Sequence, residues 1–235
     1  MKKIFIHLIA LLVTGTAFAQ ERSVSGFLLG GASVPNKSFQ QVYDNNMGGV
    51  GLGWNLGFVV NPLALGRNKV WSPVWLGIDL GWNYLGRSKF KYNGDPYLKT
   101  EFWNGNYGLL VRIDPIEGRE HRFRPFFDGF AGWGRYWANT KYDKTFAQSL
   151  VDDNTYLADK YHDDNFTTGL GAGFIIAGKD RDEPSFTFRA MYYINGSYKA
   201  VLRNSIGVSG NYLTYTVKDV NANMLMIQCG ISFGD

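Results

Sequence analysis

The sequence predicts an all-β fold, a transmembrane antiparallel up-and-down β-barrel of about eight strands. Three observations predict it. Residues Asn223 to Phe233 alternate: Asn223, Leu225, Ile227, Cys229, Ile231 and Phe233 share one face, and Met224, Met226, Gln228, Gly230 and Ser232 share the other. An export signal stands at the front of the chain: Lys2 and Lys3, the apolar run Ile4 to Val13, then Ala17-Phe18-Ala19 before Gln20. The composition is 16% aromatic with 29 Gly, yet mean hydropathy is only −0.18. Barrels hide their hydrophobicity in alternation, so aromatic wealth and low mean hydropathy coexist in them.

Each strand follows from the same two-residue period. The first, Ser23 to Ala32, is apolar on both faces. The second, Gly48 to Val60, sets Val50, Leu52, Trp54, Leu56, Phe58 and Val60 against glycines and Asn55. The third, Val74 to Leu85, sets Leu76, Ile78, Leu80, Trp82 and Tyr84 against Gly77, Asp79, Gly81 and Asn83. The fourth, Phe102 to Ile113, sets Trp103, Tyr107, Leu109, Val111 and Ile113 against Asn104, Asn106, Gly108 and Arg112.

The fifth, Phe123 to Trp137, places Phe127, Ala131, Trp133 and Trp137 opposite Asp128, Gly132 and Gly134. Arg135 falls on its apolar side, where a snorkelling side chain or a bulge accommodates it. The sixth, Phe166 to Ala177, sets Leu170, Ala172, Phe174 and Ile176 against glycines. The seventh, Ser185 to Asn195, sets Phe186, Phe188, Ala190, Tyr192 and Ile194 against Thr187, Arg189, Tyr193 and Asn195. Asn223 to Phe233 is the eighth. Each has roughly the 9–11 residues of a tilted membrane strand.

The connections sort by length. Asn61 to Pro73, Asp114 to Arg122 and Gly178 to Pro184 are short; Ala138 to Asn165 and Gly196 to Ala222 are the longest. Short turns face the periplasm in this architecture, so both ends of the chain are expected there. The expected organisation is a signal peptide over 1–19 and one barrel domain over 20–235.

Composition excludes several function classes. The signal's two lysines account for half of the formal charge of +4, and the other basic residues are scattered, so nucleic acid is not an expected partner. Cys229 is the single cysteine, which rules out an internal disulfide and a cysteine metal site.

The pattern resembles the small OmpA/OmpX-type outer-membrane barrels. The resemblance is carried by the signal ending Ala17-Phe18-Ala19 and by the run Arg124-Pro125-Phe126-Phe127-Asp128-Gly129-Phe130-Ala131-Gly132-Trp133-Gly134. The run Gly169-Leu170-Gly171-Ala172-Gly173-Phe174 and a last strand ending in Phe233 add to it. It implies a location in the outer membrane, among outer-membrane lipid and lipopolysaccharide, and handling by the barrel-insertion machinery. Gly234 and Asp235 follow the terminal aromatic, a departure from the usual insertion signal. The resemblance is to the barrel alone, so the wall anchoring of full-length OmpA, the work of a peptidoglycan-binding domain, is not expected here. The family includes adhesins, narrow pores, enzymes and subunits of larger machines, so the resemblance leaves activity open.

An eight-stranded barrel holds little beyond its own side chains. Strand parity and direction bring Asn55, Asp79, Asp128, Arg189 and Gln228 to one height, with Arg112 below. The expectation is that Asp79 and Asp128 pair with Arg189 and Arg112. As a structural plug the cluster satisfies its buried charges; as a constriction it would gate a narrow channel.

No catalytic group, metal site or cofactor is expected. His121 lies in the charged turn Glu117 to Arg122. His162 lies in the longest outer connection beside Asp159, Asp163 and Asp164. An Asp–His couple there resembles the omptin proteases, which use larger barrels and further paired acids. Asp152, Asp153, Asp159, Asp163 and Asp164 match no EF-hand spacing. Ser149 and Ser205 have no local motif, and no strand face as delimited here carries a His, which argues against a lipid-facing deacylase.

The outer connections carry contact-forming tyrosines among small polar and charged residues. Tyr142, Tyr156, Tyr161, His162, Asp163 and Tyr212 are the candidates for binding, with Phe146, Tyr198 and Tyr215 nearby. Lys89, Lys91 and Lys99 make another connection basic. The expected role is structural or interactive, through these loops or as a subunit with an envelope protein partner. A small-solute conduit and a hydrolase centred on His162 are the alternatives.

Overall fold

The computed structural model describes residues 23–43, 49–64, 71–91, 97–116, 121–143, 157–178, 183–202, 205–209 and 212–234. The signal region, Tyr156 and the acidic pair Asp152 and Asp153 lie outside them. The barrel strands are β1 (Val24–Pro35), β2 (Gly51–Val60), β3 (Val74–Lys91), β4 (Tyr97–Ile113), β5 (Phe123–Asp143), β6 (Leu157–Ile176), β7 (Ser185–Ile194) and β12 (Met224–Phe233). They close antiparallel in the order β1-β12-β7-β6-β5-β4-β3-β2. A short helix, α1 (Lys37–Tyr43), follows β1. Between β7 and β12 lie β8 (Ser197–Val201), β9 (Gly207–Ser209), β10 (Tyr212–Thr214) and β11 (Val217–Asn221), paired as β8–β11 and β9–β10.

Alternation sets the wall. Leu109 and Leu170 are 67% and 73% exposed, while the neighbouring lumenal Leu110 and Asn106 are buried. The exposed set continues around the barrel through Leu76, Ile78, Phe127, Phe186, Ile227 and Ile231. Cys229 lies on this outer face. Aromatics edge the belt at both ends, as water–hydrocarbon boundaries favour. At one end Phe123, Phe174 and Phe188 stack in sequence at 5.1 and 5.3 Å. At the other, Tyr84, Trp103 and Trp137 follow one another at 4.9 and 6.2 Å, and Trp54 stacks on Trp82 at 4.6 Å.

Four strands run past that second girdle, which the sequence reading does not foresee. β3 to β6 continue as a raised sheet, with Lys89 opposite Lys99, Lys99 opposite Lys141 and Asn139 opposite Lys160. A bulge between Tyr84 and Gly86, with Gly86 at φ 130°, bends β3 where it leaves the barrel. Arg135 needs no bulge: the register shift in β5 falls at Thr140/Lys141, and Arg135 lies flat in the ladder opposite Asp164.

The extensions stay hidden because the face rule inverts at the girdle. Below it apolar residues point out and polar ones in, save the Arg135–Asp164 pair, which stands outward one row beneath Trp137 and His162. Above it, Leu98, Phe102, Tyr136 and Ala138 are buried inside, and Lys99, Glu101, Lys141 and Lys160 point out. The correction reaches the loop candidates: Tyr161, His162 and Asp163 are strand residues of β6, not loop residues. Tyr142 belongs to the β5 strand and Tyr212 begins the short β10.

Candidate functional site: a sealed lumen beneath a charged outer sheet

Lumen parity converges β2, β3, β5, β7 and β12 on one level, where the side chains form a closed circuit. Arg189 Nε donates to Gln228 Oε1 at 2.9 Å, and Gln228 Nε2 donates to Asn55 Oδ1 at 2.6 Å. Asn55 Nδ2 donates to Asp79 Oδ1 at 2.8 Å, and Asp79 Oδ2 meets Arg189 Nη1 at 2.8 Å. The circuit passes over β1, which presents Gly31 between Gln228 and Gly53 in register. Asp128 joins it, 3.4 Å from the same Arg189 nitrogen, and holds Arg112 through paired bonds of 2.8 and 2.9 Å. Two carboxylates thus face two guanidinium groups, and the cluster carries no net charge.

The structure therefore brings together all of Asn55, Asp79, Arg112, Asp128, Arg189 and Gln228, each at most 2% exposed. Sequence parity alone misses the aromatic packing around them. Arg112 lies over the Phe126 ring at 3.9 Å and 5.1 Å from Phe27, and Arg189 is also 5.1 Å from Phe27. Phe27 and Leu29 make β1 apolar on both faces because its inner face supplies these contacts. Tyr193 completes the layer, its hydroxyl donating to Asp79 at 3.4 Å and its ring edge-on to Phe130 at 5.4 Å. Arg124 and Asp114, 3.6 Å apart and buried, lie at the short-turn end.

A second seal covers the long-connection end. Asn36 caps α1, accepting the Phe39 N–H at 3.0 Å. Phe39 and Val42 are fully buried, and Phe39 packs edge-on against Tyr136 at 5.8 Å. The β8–β11 hairpin folds inward beside the helix, burying Tyr198, Ala200, Val201, Val220 and Ala222. Tyr198, read from sequence as a loop contact residue, is instead wedged into the lumen. Its hydroxyl sits where a Cβ on Gly134 would be, so a side chain at 134 would have to displace it. The two parts of the cap hold each other: Asn36 Nδ2 donates to Asn221 Oδ1 at 2.8 Å and Ser38 Oγ donates to Asn221 O at 2.9 Å. The Asn36-x-x-Phe39-x-x-Val42 spacing and the small Tyr198/Ala200 and Val220/Ala222 alternations are the only sequence traces of this cap.

His162 lies on the outer face of β6, opposite Trp137. The carboxylates nearest it in the chain are committed elsewhere. Asp164 is held by Arg135 through paired bonds of 2.5 and 2.6 Å, and Asp163, on the other face, accepts the Lys199 N–H at 2.6 Å. Asp164 shares the outer face of β6 with His162, but its paired bonds go to Arg135. Among the described residues no cluster of His, Cys, Asp and Glu is placed to hold a metal ion. His121 is exposed at the start of β5.

No protein-family model matches the chain, and no curated protein matches it in sequence. Solved structures match in shape. A major outer membrane protein from Thermus thermophilus is 10% identical, covering 90% of this chain and 99% of that one with a TM-score of 0.52. Neisserial surface protein A is 9% identical, covering 91% and 97% with a TM-score of 0.48. The outer membrane protein OprG from Pseudomonas aeruginosa is 12% identical, covering 90% and 96% with a TM-score of 0.43. The likeness is one of fold: a closed eight-stranded antiparallel barrel of the small outer-membrane type.

Proposed function

We propose that this protein is a non-conducting outer-membrane barrel that acts through its outward surface, as a structural or interaction module of the envelope. The observation that carries the reading is the double closure of the lumen. The Arg189–Gln228–Asn55–Asp79 circuit crosses the barrel at mid-height, and α1 with the β8–β11 hairpin covers the mouth above it. Neither layer is lined like a conduit. The circuit uses its charges internally and is neutral, unlike the single-sign rings that select ions. With the interior committed, the surface available to partners is the raised sheet and the connections around it.

In this reading the mature chain starts at Gln20, the short turns and both ends lie in the periplasm, and the raised sheet faces outward. The export signal and the asymmetry of connection length support it. An envelope protein is the expected partner class, and no catalysis is assigned. Planar-bilayer recording tests the closure. Neither wild type nor Arg189→Ala is expected to open, because the cap lies above the layer that this substitution removes. Discrete openings in wild type would overturn the reading.

A further inference from the structure

The lumen level between the ion-paired layer and the cap carries polar atoms that the protein itself does not satisfy. Ser33 on β1, Asn83 on β3, and Asn104 and Asn106 on β4 are each at most 1% exposed. Among the described residues, both amide atoms of Asn83 and of Asn106, the Asn104 Oδ1 and the Ser33 Oγ have no hydrogen-bond partner. In the layer below, by contrast, only Arg189 Nη2 lacks one. Buried polar groups in folded proteins are nearly always bonded, so a run of idle atoms on neighbouring residues calls for an occupant.

Register gathers these residues. Asn83 stands opposite Asn104, and Asn106 lies one lumenal step lower on β4. Ser33 pairs with Gly51, and Gly53 pairs with Asn83. Glycines open the space: Ser33 Oγ takes the place of a Cβ on Gly51, and Asn83 Oδ1 that of a Cβ on Gly53. A Cβ on Gly134 would lie within 3.1 Å of Asn106 Oδ1, Thr167 Oγ1 and the Tyr198 hydroxyl, so three oxygens converge there. Large side chains fill the lumen below, with Phe27 and Phe126, and above, with Phe39 and Tyr136. Between them the inner face from β1 to β5 supplies only Ser, Gly and Asn, and side-chain volume runs short where the idle atoms lie.

We propose that this level is a closed chamber that binds an uncharged hydroxyl guest, either ordered water or a small polyol, on Asn83, Asn104, Asn106 and Ser33. The guest is uncharged because the ionised groups beneath, Asp79 and Arg189, are spent on each other at 2.8 Å. It is hydroxylic because a carboxamide sets two N–H donors beside an oxygen acceptor, and a hydroxyl answers both. The inference goes beyond the outward role proposed above, since the chamber lies inside the barrel.

The test compares the full chain with Asn83→Leu/Asn106→Leu, folded in detergent micelles. Oxygen-17 relaxation dispersion detects water held far longer than at a surface, and native mass spectrometry after incubation with glycerol detects a retained polyol. Long-lived water in wild type assigns the chamber to water, and a glycerol adduct assigns it to polyols. The leucine variant is expected to lose whichever signal is present, because an apolar cavity stays dry. Its urea midpoint is expected to fall, since the substitutions remove bonded groups. Buried amides with nothing bound to them would give the opposite shift, because apolar replacements of similar shape then stabilise. Should the double variant fail to fold, Asn83→Leu alone carries the same expectations. A wild type with neither signal, a signal of equal size in the leucine variant, or a raised urea midpoint overturns the proposal.

Discussion

Arg189 on β7 reaches across the barrel axis to Asp79 on β3, 2.8 Å away, with both side chains out of solvent. The two strands are not neighbours in the sheet, so the contact ties opposite walls of the closed barrel together. A buried ion pair is a weak source of net stability, but one partner left alone is costly.

Removing one partner is therefore worse than removing both. Arg189→Ala or Asp79→Ala should each lower barrel stability by about 3–5 kcal/mol. Arg189→Ala combined with Asp79→Ala should lose less than the sum of the two single substitutions, because the double variant leaves neither partner as a lone charge. Urea unfolding in detergent micelles, followed by tryptophan fluorescence, measures the set. Additive losses would show that the two side chains are not coupled.

Two seals in series predict a particular conductance pattern. Phe39→Ala removes the buried ring that α1 places on Tyr136, at a cost of up to about 5 kcal/mol to the cap. Alone it should leave the barrel silent in planar bilayers, since the ion-paired layer lies beneath. Combined with Arg189→Ala it should produce openings. A silent double variant would mean that the remaining side chains fill the lumen unaided.

Gly134 is the seat of the Tyr198 hydroxyl. Gly134→Val should expel Tyr198, loosen the β8–β11 hairpin and cost about 1–3 kcal/mol of overpacking. Hydrogen exchange at residues 197–201 should quicken while exchange in β12 stays unchanged. Unaltered exchange in β8 would refute the wedge.

The cap also has an alkaline limit. Burial, the hydrogen bond to Asp159 and its negative charge push the Tyr215 hydroxyl up to about 12. A raised folded value means that the contribution is whole below pH 10 and is lost as pH rises through 12. Tyr215 packs on Tyr161 at 5.9 Å, so their contact should loosen across that window. Phenolate absorbance, compared between wild type and Tyr215→Phe, should place the missing titration near 12. A titration near 10 would show the residue solvated.

How much of this was legible in the sequence depends on height in the barrel. Between the girdles, wall and lumen oppose hydrocarbon to polar filling, and Leu109 against Asn106 or Phe127 against Asp128 announces its face. Parity then suffices to gather Asp79, Asp128 and Arg189. Beyond the second girdle, the outside meets water and headgroups while the inside meets an apolar cap. Phe102, Trp137 and Phe166 mark where the rule turns over, and a reading keyed to outward apolar residues stops there. The cap escaped for another reason. A seven-residue helix and five-residue strands are too short to show a period, and their burial comes from contact with distant Tyr136 and Gly134.

The inverted face rule also fixes a waterline. Sinking the barrel by one turn of its strand pattern would draw the outward cations into hydrocarbon at about 2–4 kcal/mol each near the midplane, less toward the edge. Lifting it would strand Trp133 and Phe166 in water. The molecule can float at one depth only, and in one orientation. In the orientation proposed above, the raised sheet therefore stands at a constant height above the bilayer, presented as on a fixed pedestal.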